Sequence, residues 1–274
     1  HAGGTYVYLR EAYGRWWAFL WGWAEFWVIR SGAIAALAVA MTISLDALLQ
    51  GSAGISIGSW TILKDGLAPW EVNTVAISAI TLLTIVNVIG TRWGGWVQIL
   101  TTLIKVGFVA LLALLPLLAA GQDSRVVPAR LLPPADDAGL WLGIGAALSA
   151  IMWAYDGWGN IGTVAEEIHH PQRNIPWALT VGVIVLIVLY LGANLGFHLT
   201  MTSPEIAASP VPAIAAAGRL MPGFGGRLTN YMLMISIFGA LNANVLSGPR
   251  VLFAMARDGV FFRGFKHIDP RTGT

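Results

Sequence analysis

The sequence predicts an all-α integral membrane protein, and three observations support this fold class. Apolar residues make up 56% of the chain and charged residues only 11%, whereas a soluble domain carries roughly 25% charged residues. Six segments hold about 20 mostly apolar residues each, the length at which a helix crosses a hydrocarbon core of roughly 30 Å. Alternating apolar strands, which are typical of membrane barrels, are missing from the sequence.

The composition also excludes several classes of function. The 16 basic and 14 acidic residues give a net charge of only +2, so we expect no nucleic acid partner. The absence of cysteine excludes disulfide frameworks and cysteine-ligated metal sites. Neighbouring His169 and His170 point about 100° apart on a helix, and nothing nearby completes a metal site. We therefore expect no enzyme, no cofactor and no metal, with a small substrate and the lipid bilayer as partners.

The six predicted spans form one membrane transport domain over residues 1–274, which we expect to be incomplete at both ends. Nine of the 16 Lys and Arg residues fall in loops on one side of the spans and five in loops on the other. The positive-inside rule places the first set in the cytoplasm, so we expect a multi-pass protein of the plasma or inner membrane. The predicted spans cover about 16–40, 72–90, 97–120, 139–165, 177–200 and 228–248.

Four charged residues, Glu25, Arg30, Lys105 and Asp156, lie inside predicted spans, where charges are costly and usually functional. Glu25 and Arg30 are five residues apart, which is roughly 140° of rotation on an α-helix. We therefore expect them to be poor partners for each other and to pair with other helices. Lys105 lies roughly 12 Å deep in the third span. Either Lys105 has only a structural role between helices, or its ammonium takes the place of an ion or couples transport to a proton.

The fourth predicted span contains a cluster of residues that do not suit a continuous helix. Asp156, Gly157, Gly159 and Asn160 lie within the apolar run 139–165, and these residue types favour caps and helix ends. The cluster predicts a break in the helix. A broken membrane helix exposes backbone groups that transporters use to hold charged substrates. The alternative is a kink that neighbouring helices fill.

Three residues near this break have two interpretations each. Asp156 is either the N-cap of the second half-helix or a direct contact of a substrate amine or a transferred proton. Trp153 is either a packing residue or an aromatic lid over the substrate. Asn242, in the last span, either lines the same cavity or bonds across helices.

Several stretches resemble the amino acid–polyamine–organocation permeases, and in particular their L-type amino acid transporter branch. Residues 154–158, 164–167 and 171–176 resemble the sixth helix of that family and the loop after it. Residues 2–8 resemble the loop between helices 2 and 3, residues 28–31 the signature of helix 3, and residues 248–259 the end of helix 8.

The resemblance implies an internal fragment, about helices 3 to 8, of a twelve-helix permease with two inverted five-helix repeats and a broken sixth helix. It implies that carbonyls near Trp153, Ala154 and Asp156 take the substrate amine, and that the Lys105 ammonium replaces the ion of sodium-coupled relatives. Asp156 stands where animal L-type members commonly have glycine. The predicted substrate-binding residues are Trp153, Ala154, Tyr155, Asp156, Gly157, Asn160 and Asn242, with Lys105 as the coupling residue.

The expected function is secondary active or facilitative transport of amino acids by alternating access. Uniport, amino acid exchange and proton symport stay open, so the coupling species is a proton, an exchanged amino acid or none. The alternative is a permease-like membrane sensor or partner-binding protein without transport. The glycine-rich break of helix 1, which holds the substrate carboxylate in this family, is absent from the sequence, so we expect this fragment alone not to transport.

Overall fold

A computed structural model of the chain describes residues 3–49, 55–57, 60–62, 66–119 and 139–268. Within these ranges the chain is almost entirely helical, and a short antiparallel pair of strands, β1 (Ile55–Ile57) and β2 (Trp60–Ile62), lies between two of the helices. The α-helices are α1 (Thr5–Tyr13), α2 (Arg15–Ala24), α3 (Ser31–Leu49), α4 (Pro69–Ile89), α5 (Thr91–Ala119), α6 (Gly139–Ala154), α7 (Pro171–Thr200), α8 (Ser203–Ala208), α9 (Pro212–Leu220) and α10 (Gly225–Arg257).

Three segments of other helical geometry complete the described chain. A π-helical segment, Glu25–Arg30, joins α2 to α3 without a break in the helical path. A 3₁₀ segment, Trp158–Glu167, follows α6, and a shorter one, Arg263–Lys266, follows α10. The first two segments contain residues that the sequence singled out for function.

Five helical stretches are long and apolar enough to cross a membrane, and five of the six predicted spans correspond to them. The remaining predicted span, 139–165, is interrupted within the apolar run: α6 ends at Ala154, and its apolar part, Gly139–Met152, is shorter than a full membrane span. The five stretches are Arg15–Leu49, Pro69–Ile89, Trp93–Leu117, Pro171–Thr200 and Gly225–Arg257.

Several span ends differ from the prediction, mostly because proline does not stop these helices. α7 begins at Pro171 and contains Pro176, and α10 continues through Pro249 to Arg257. Membrane helices tolerate proline because neighbouring groups satisfy the freed carbonyl. The first span extends to Leu49, and the predicted loop 201–227 contains α8 and α9.

α10 is the central helix of the described bundle. It contacts α1 to α5, α9, the π-helical segment and both 3₁₀ segments. One buried cluster joins it to α3 and α4, and a second joins it to α1 and α2. The first cluster contains Ala38, Met41, Ala76, Ala79, Leu83 and Leu241, and the second contains Tyr6, Ala18, Val251, Leu252, Ala254 and Met255.

Small residues let the helices around α10 approach closely, as is common in membrane bundles. Gly239 of α10 faces Thr101 of α5, where a Cβ on the glycine would lie 2.6 Å from the threonine Oγ1 and 2.8 Å from its Cβ. Both atoms belong to a β-branched side chain that has little freedom to move. The contact between α5 and α10 therefore requires glycine at position 239.

We predict that Gly239→Ala destabilises the protein by about 1–3 kcal/mol, because the added methyl overpacks this contact. Thermal unfolding in detergent measures the effect. Gly107→Ala is the matched control, since no heavy atom of the described residues lies within 4 Å of a Cβ there. An unfolding temperature for Gly239→Ala equal to that of Gly107→Ala would contradict the prediction.

Candidate substrate site

The helical path of α6 is interrupted between Ala154 and Trp158. The Tyr155 amide donates to the Ile151 carbonyl at 3.0 Å in the last α-helical bond, and residues 155–157 then form a turn. Gly157 has φ 107° and ψ −13°, a left-handed conformation that favours glycine. The predicted lapse of helical bonding between residues 153 and 160 is confirmed.

The turn leaves carbonyls at the end of α6 without their helical donors. The amides of residues 156 to 158 make no backbone hydrogen bond to any described residue, so the Met152 and Trp153 carbonyls lack helical partners. The Ala154 carbonyl accepts a hydrogen bond from the Tyr190 hydroxyl of α7 at 3.3 Å. The break therefore presents backbone acceptors at the negative end of a helix dipole.

Tyr190 is a residue of this site that the sequence did not reveal. Its ring packs edge-on against Tyr155, with the ring centroids 5.2 Å apart. Together with its bond to Ala154, this contact fixes the end of α6 against α7. In the sequence Tyr190 is one aromatic residue within an apolar span, so no local signal connects it to the break.

The structure excludes one of the two interpretations of Asp156. The N-cap position of the 3₁₀ segment is Gly157, and no side chain caps it. The segment starts one residue too late for Asp156 to serve as its cap, so the capping interpretation is wrong. The Asp156 side chain is exposed beside the turn, and its contact with a substrate stays a prediction.

A buried polar cluster lies next to the break and is organised by Arg30. The Arg30 guanidinium donates from Nη2 to the Glu25 carboxylate and to Asn160 Oδ1, the latter at 3.1 Å. It donates from Nη1 to Asn244 Oδ1 at 2.7 Å and to Ser247 Oγ at 3.1 Å. This Arg30 cluster joins the π-helical segment, the 3₁₀ segment and α10.

The pairing of Glu25 with Arg30 corrects the expectation that they are poor partners. That expectation assumed α-helical geometry, in which residues five apart point in different directions. Glu25 and Arg30 are the first and last residues of the π-helical segment. Because π-helical hydrogen bonds run from i to i+5, residues at this spacing lie about one turn apart on the same face.

The surroundings of Arg30 compensate for the burial of two charges. Glu25 is 6% exposed and Ser247 is 4% exposed, so neither is hydrated to any extent. A Cβ on Gly248 would lie 3.2 Å from Arg30 Cγ, which shows how closely α10 approaches the arginine side chain. A buried ion pair is tolerated when further hydrogen bonds satisfy its remaining polar atoms. Here they satisfy both terminal nitrogens, whereas the buried Nε has no partner among the described residues.

Lys105 is half-buried on the face of α5 that packs into the bundle. Thr101 and Leu112 share this face, and they contact Gly239 of α10 and Gly196 of α7 respectively. Among the described residues, no hydrogen-bond or ion-pair partner faces the Lys105 ammonium. Its role as the coupling residue stays a prediction.

Asn242 bonds across three helices. It is fully buried, and its Nδ2 donates to the Gly94 carbonyl at 3.0 Å and to Gln98 Oε1 at 3.2 Å. Its Oδ1 accepts from Asn87 Nδ2 at 3.0 Å. These bonds join α10 to α4 and α5 and favour the interhelical interpretation over substrate contact.

The side chain of Trp153 lies outside the described residues, so its role as a lid stays a prediction.

The far end of the 3₁₀ segment is attached to α10 by two ion pairs. Arg250 contacts the Glu167 carboxylate through Nε at 2.6 Å and through Nη2 at 3.1 Å, and Arg257 contacts Glu166 at 3.1 Å. The partners lie more than 80 residues apart along the chain, so no local pattern in the sequence indicates these ion pairs. The ion pairs flank a pocket of about 690 Å³.

The C-terminal end of α10 also holds α1. Asp258 accepts a hydrogen bond from the Tyr6 hydroxyl at 2.9 Å and an ion pair from Arg10 at 2.5 Å. Burial raises the pKa of the Tyr6 phenol above its ordinary value, and the hydrogen bond to Asp258 raises it further. The phenol therefore stays a neutral donor, and α1 remains beside the 3₁₀ segment, where the Gly4 amide donates to the Gly162 carbonyl at 3.2 Å.

Comparison with known proteins shows to which family the chain belongs. A family model described as "Amino acid permease" matches residues 1–274. The chain belongs to the amino acid permease family. This result confirms the resemblance, the all-α membrane fold class and the expectation of a multi-pass membrane protein.

Several curated permeases and transporters are similar to the chain. It is 31% identical to the serine/threonine exchanger SteT of Bacillus subtilis, with 98% of this chain and 57% of that protein aligned. It is 27% identical to the human b(0,+)-type amino acid transporter 1, over 98% of this chain and 52% of the relative. Identity to the human cystine/glutamate transporter is 24%, over 94% and 48%. The chain therefore spans about half the length of these relatives.

The Arg30 cluster makes a direct prediction about the stability of this permease. Glu25→Gln removes the charge opposite a buried guanidinium, so it should cost about 3–5 kcal/mol of stability. Thermal unfolding of the purified protein in detergent provides the measurement. The same substitution at Glu205, which pairs with Arg219 at an exposed site, should change the unfolding temperature little. Equal shifts for both variants would contradict a stabilising role for the buried pair.

Proposed function

We propose that these residues form part of an amino acid transporter that works by alternating access and holds its substrate at the break after α6. The observation that carries the proposal is the set of carbonyls at residues 152 and 153, which a left-handed turn at Gly157 leaves without helical donors. Non-helical backbone at membrane depth is tolerated where it lines a cavity or is buried in protein. The family and the transporter names of the relatives support the same function.

The chemistry of the break suits the α-ammonium group of an amino acid. An ammonium has three donors and no acceptor, and the end of α6 offers free carbonyls at the negative end of a helix dipole. The exposed Asp156 carboxylate adds a full negative charge beside the turn. In this proposal the ammonium contacts the carbonyls of Trp153 and Ala154 and the carboxylate of Asp156.

The remaining predicted residues have supporting roles in this proposal. Tyr155 and Gly157 shape the turn, and Asn160 lies beyond it on the 3₁₀ segment. Asn242 keeps α10 in place against α4 and α5 through its interhelical bonds. Lys105, on the inner face of α5, supplies a fixed positive charge in the place of a coupling ion.

Exchange of amino acids is the mode of transport that we propose to test first, because SteT is named as an exchanger. The intact protein is reconstituted in liposomes that are either empty or loaded with unlabelled L-serine. Faster uptake of radiolabelled serine into the loaded liposomes indicates exchange, and uptake driven by an imposed pH gradient indicates proton coupling. No uptake of any amino acid above that of protein-free liposomes would overturn the proposed function.

We predict that Asp156→Asn changes which amino acids the protein takes up. Loss of the carboxylate removes a charge that favours cationic groups, so uptake of cationic amino acids should fall relative to neutral ones. The pH dependence of uptake should also disappear if this carboxylate carries the transferred proton. Competition by neutral and cationic amino acids at two pH values measures both effects. Unchanged selectivity and an unchanged pH profile would remove Asp156 from the site.

We predict that Lys105→Ala lowers uptake strongly while the protein still inserts into the membrane. The substitution removes the half-buried ammonium that, in this proposal, takes the place of a coupling ion. Lys266→Ala is the matched control, since Lys266 is exposed in the 3₁₀ segment after α10. Uptake rates are normalised to the amount of reconstituted protein. Wild-type uptake by Lys105→Ala would show that this lysine is not needed for transport.

A further inference from the structure

Asn160 has one polar group that the described part of the protein leaves unused. Its backbone amide donates to the Gly157 carbonyl at 3.0 Å, and its carbonyl accepts from Thr163 Oγ1 at 2.7 Å. Its side-chain Oδ1 accepts from Arg30 Nη2 at 3.1 Å. Its Nδ2 has no acceptor among the described residues.

This free amide group lies beside the break. Nδ2 is 3.8 Å from the position that a Cβ would take on Gly157, the left-handed residue of the turn. The carbonyls at the end of α6 lie immediately before this turn in the chain. The break therefore has backbone acceptors on one side and a side-chain donor on the other.

Arg30 determines which end of the Asn160 amide faces the break. A guanidinium has donors only, so it attracts the amide oxygen and rejects the amide nitrogen. The two hydrogens of Nδ2 must then point away from Arg30. Without the guanidinium, the two orientations of the amide would differ little in energy, because nothing else in the described structure bonds to either atom.

The position of Arg30 is itself fixed by the rest of its cluster. Its two terminal nitrogens carry four hydrogens, and these are directed at Glu25, Asn160, Asn244 and Ser247. The fifth hydrogen, on Nε, has no partner among the described residues, but Nε is buried, so Arg30 has no accessible hydrogen to offer a substrate. It can influence transport only through the groups that it holds.

We propose that Arg30 is a positioning residue that turns the Asn160 amide so that Nδ2 donates into the break, to an acceptor oxygen of the transported amino acid. This inference rests on the proposed function. The acceptor oxygen belongs either to the substrate carboxylate or to a side-chain hydroxyl. Uptake of L-serine and of L-alanine distinguishes these sources, because both have the carboxylate but only serine has the hydroxyl.

Asn160→Asp tests the donor directly in the intact protein reconstituted in liposomes. Aspartate keeps an oxygen for Arg30 but replaces the NH₂ group with a second acceptor. We expect the KM for L-serine to rise about tenfold, which corresponds to about 1.4 kcal/mol and is near the net worth of one hydrogen bond. An equal rise for L-alanine assigns the contact to the carboxylate, and a rise for serine alone assigns it to the hydroxyl.

A double-substitution experiment tests the role of Arg30. Lysine keeps the charge opposite Glu25 but cannot reach all four acceptors, so Arg30→Lys alone should also raise the KM. In an Asn160→Ala background the same substitution should have no further effect on the KM, because the group through which Arg30 acts is gone. A purely structural arginine would instead lower the unfolding temperature and reduce the maximal rate equally in both backgrounds.

Two controls match these substitutions. Arg219→Lys changes an exposed arginine that pairs with Glu205, and Asn174→Asp changes an exposed asparagine near the start of α7. Both should leave the KM unchanged. If Arg30→Lys fails to fold, the KM of Asn160→Asp still tests whether Nδ2 of Asn160 donates to the substrate.

The outcomes separate this inference from the proposed function. A wild-type KM in Asn160→Asp, or additive effects of Arg30→Lys and Asn160→Ala, overturns the inference while transport itself remains. Failure of the wild-type protein to take up any amino acid overturns the proposed function, and the inference with it.

Discussion

The constraint on which the described structure depends is the burial of the Arg30 guanidinium within the membrane-spanning part of the chain. A charge in this position is stable only when its hydrogen-bonding capacity is used. Arg30 uses both terminal nitrogens in this way, with acceptors from the π-helical segment, from the 3₁₀ segment and from α10, and only its buried Nε has no partner among the described residues. The same bonds that satisfy the charge therefore fix three separate parts of the chain relative to one another, including the part that follows the break.

The composition of α10 makes this arrangement possible. Gly239 and Gly248 let α5 and the arginine side chain approach the helix backbone, while Asn242, Asn244 and Ser247 supply polar atoms on its buried surface. The association of membrane helices depends on close packing and on such polar groups, because the lipid provides no hydrophobic force that would drive helices together. α10 is therefore the helix to which the chain after the break is attached, from the Arg30 cluster to the ion pairs at the C-terminal end of α10.

The sequence predicted the spans and the helix break, which depend on neighbouring residues. It missed the contacts between residues that are far apart in the chain or brought together by tertiary packing. Apolar run lengths located five spans, and the glycines at 157 and 159 located the break, because both signals are local. The partnership of Glu25 with Arg30 was missed, since a π-helical segment is one extra residue accommodated by tertiary packing and leaves no mark on periodicity. The Tyr190 contact with Ala154 joins groups 36 residues apart, and no local pattern encodes such a contact.

The geometry of the 3₁₀ segment has a consequence for its length. A 3₁₀ helix rises about 2.0 Å per residue and an α-helix about 1.5 Å. The segment contains 10 residues, so rewinding it as an α-helix would shorten it by about 5 Å. Asn160 anchors one end of the segment and Glu166 and Glu167 anchor the other. Because Arg30 is itself bonded to α10, both anchors are tied to the same continuous helix, so a change of helical pitch in the segment would require the Asn160–Arg30 bond or the ion pairs of Glu166 and Glu167 to break.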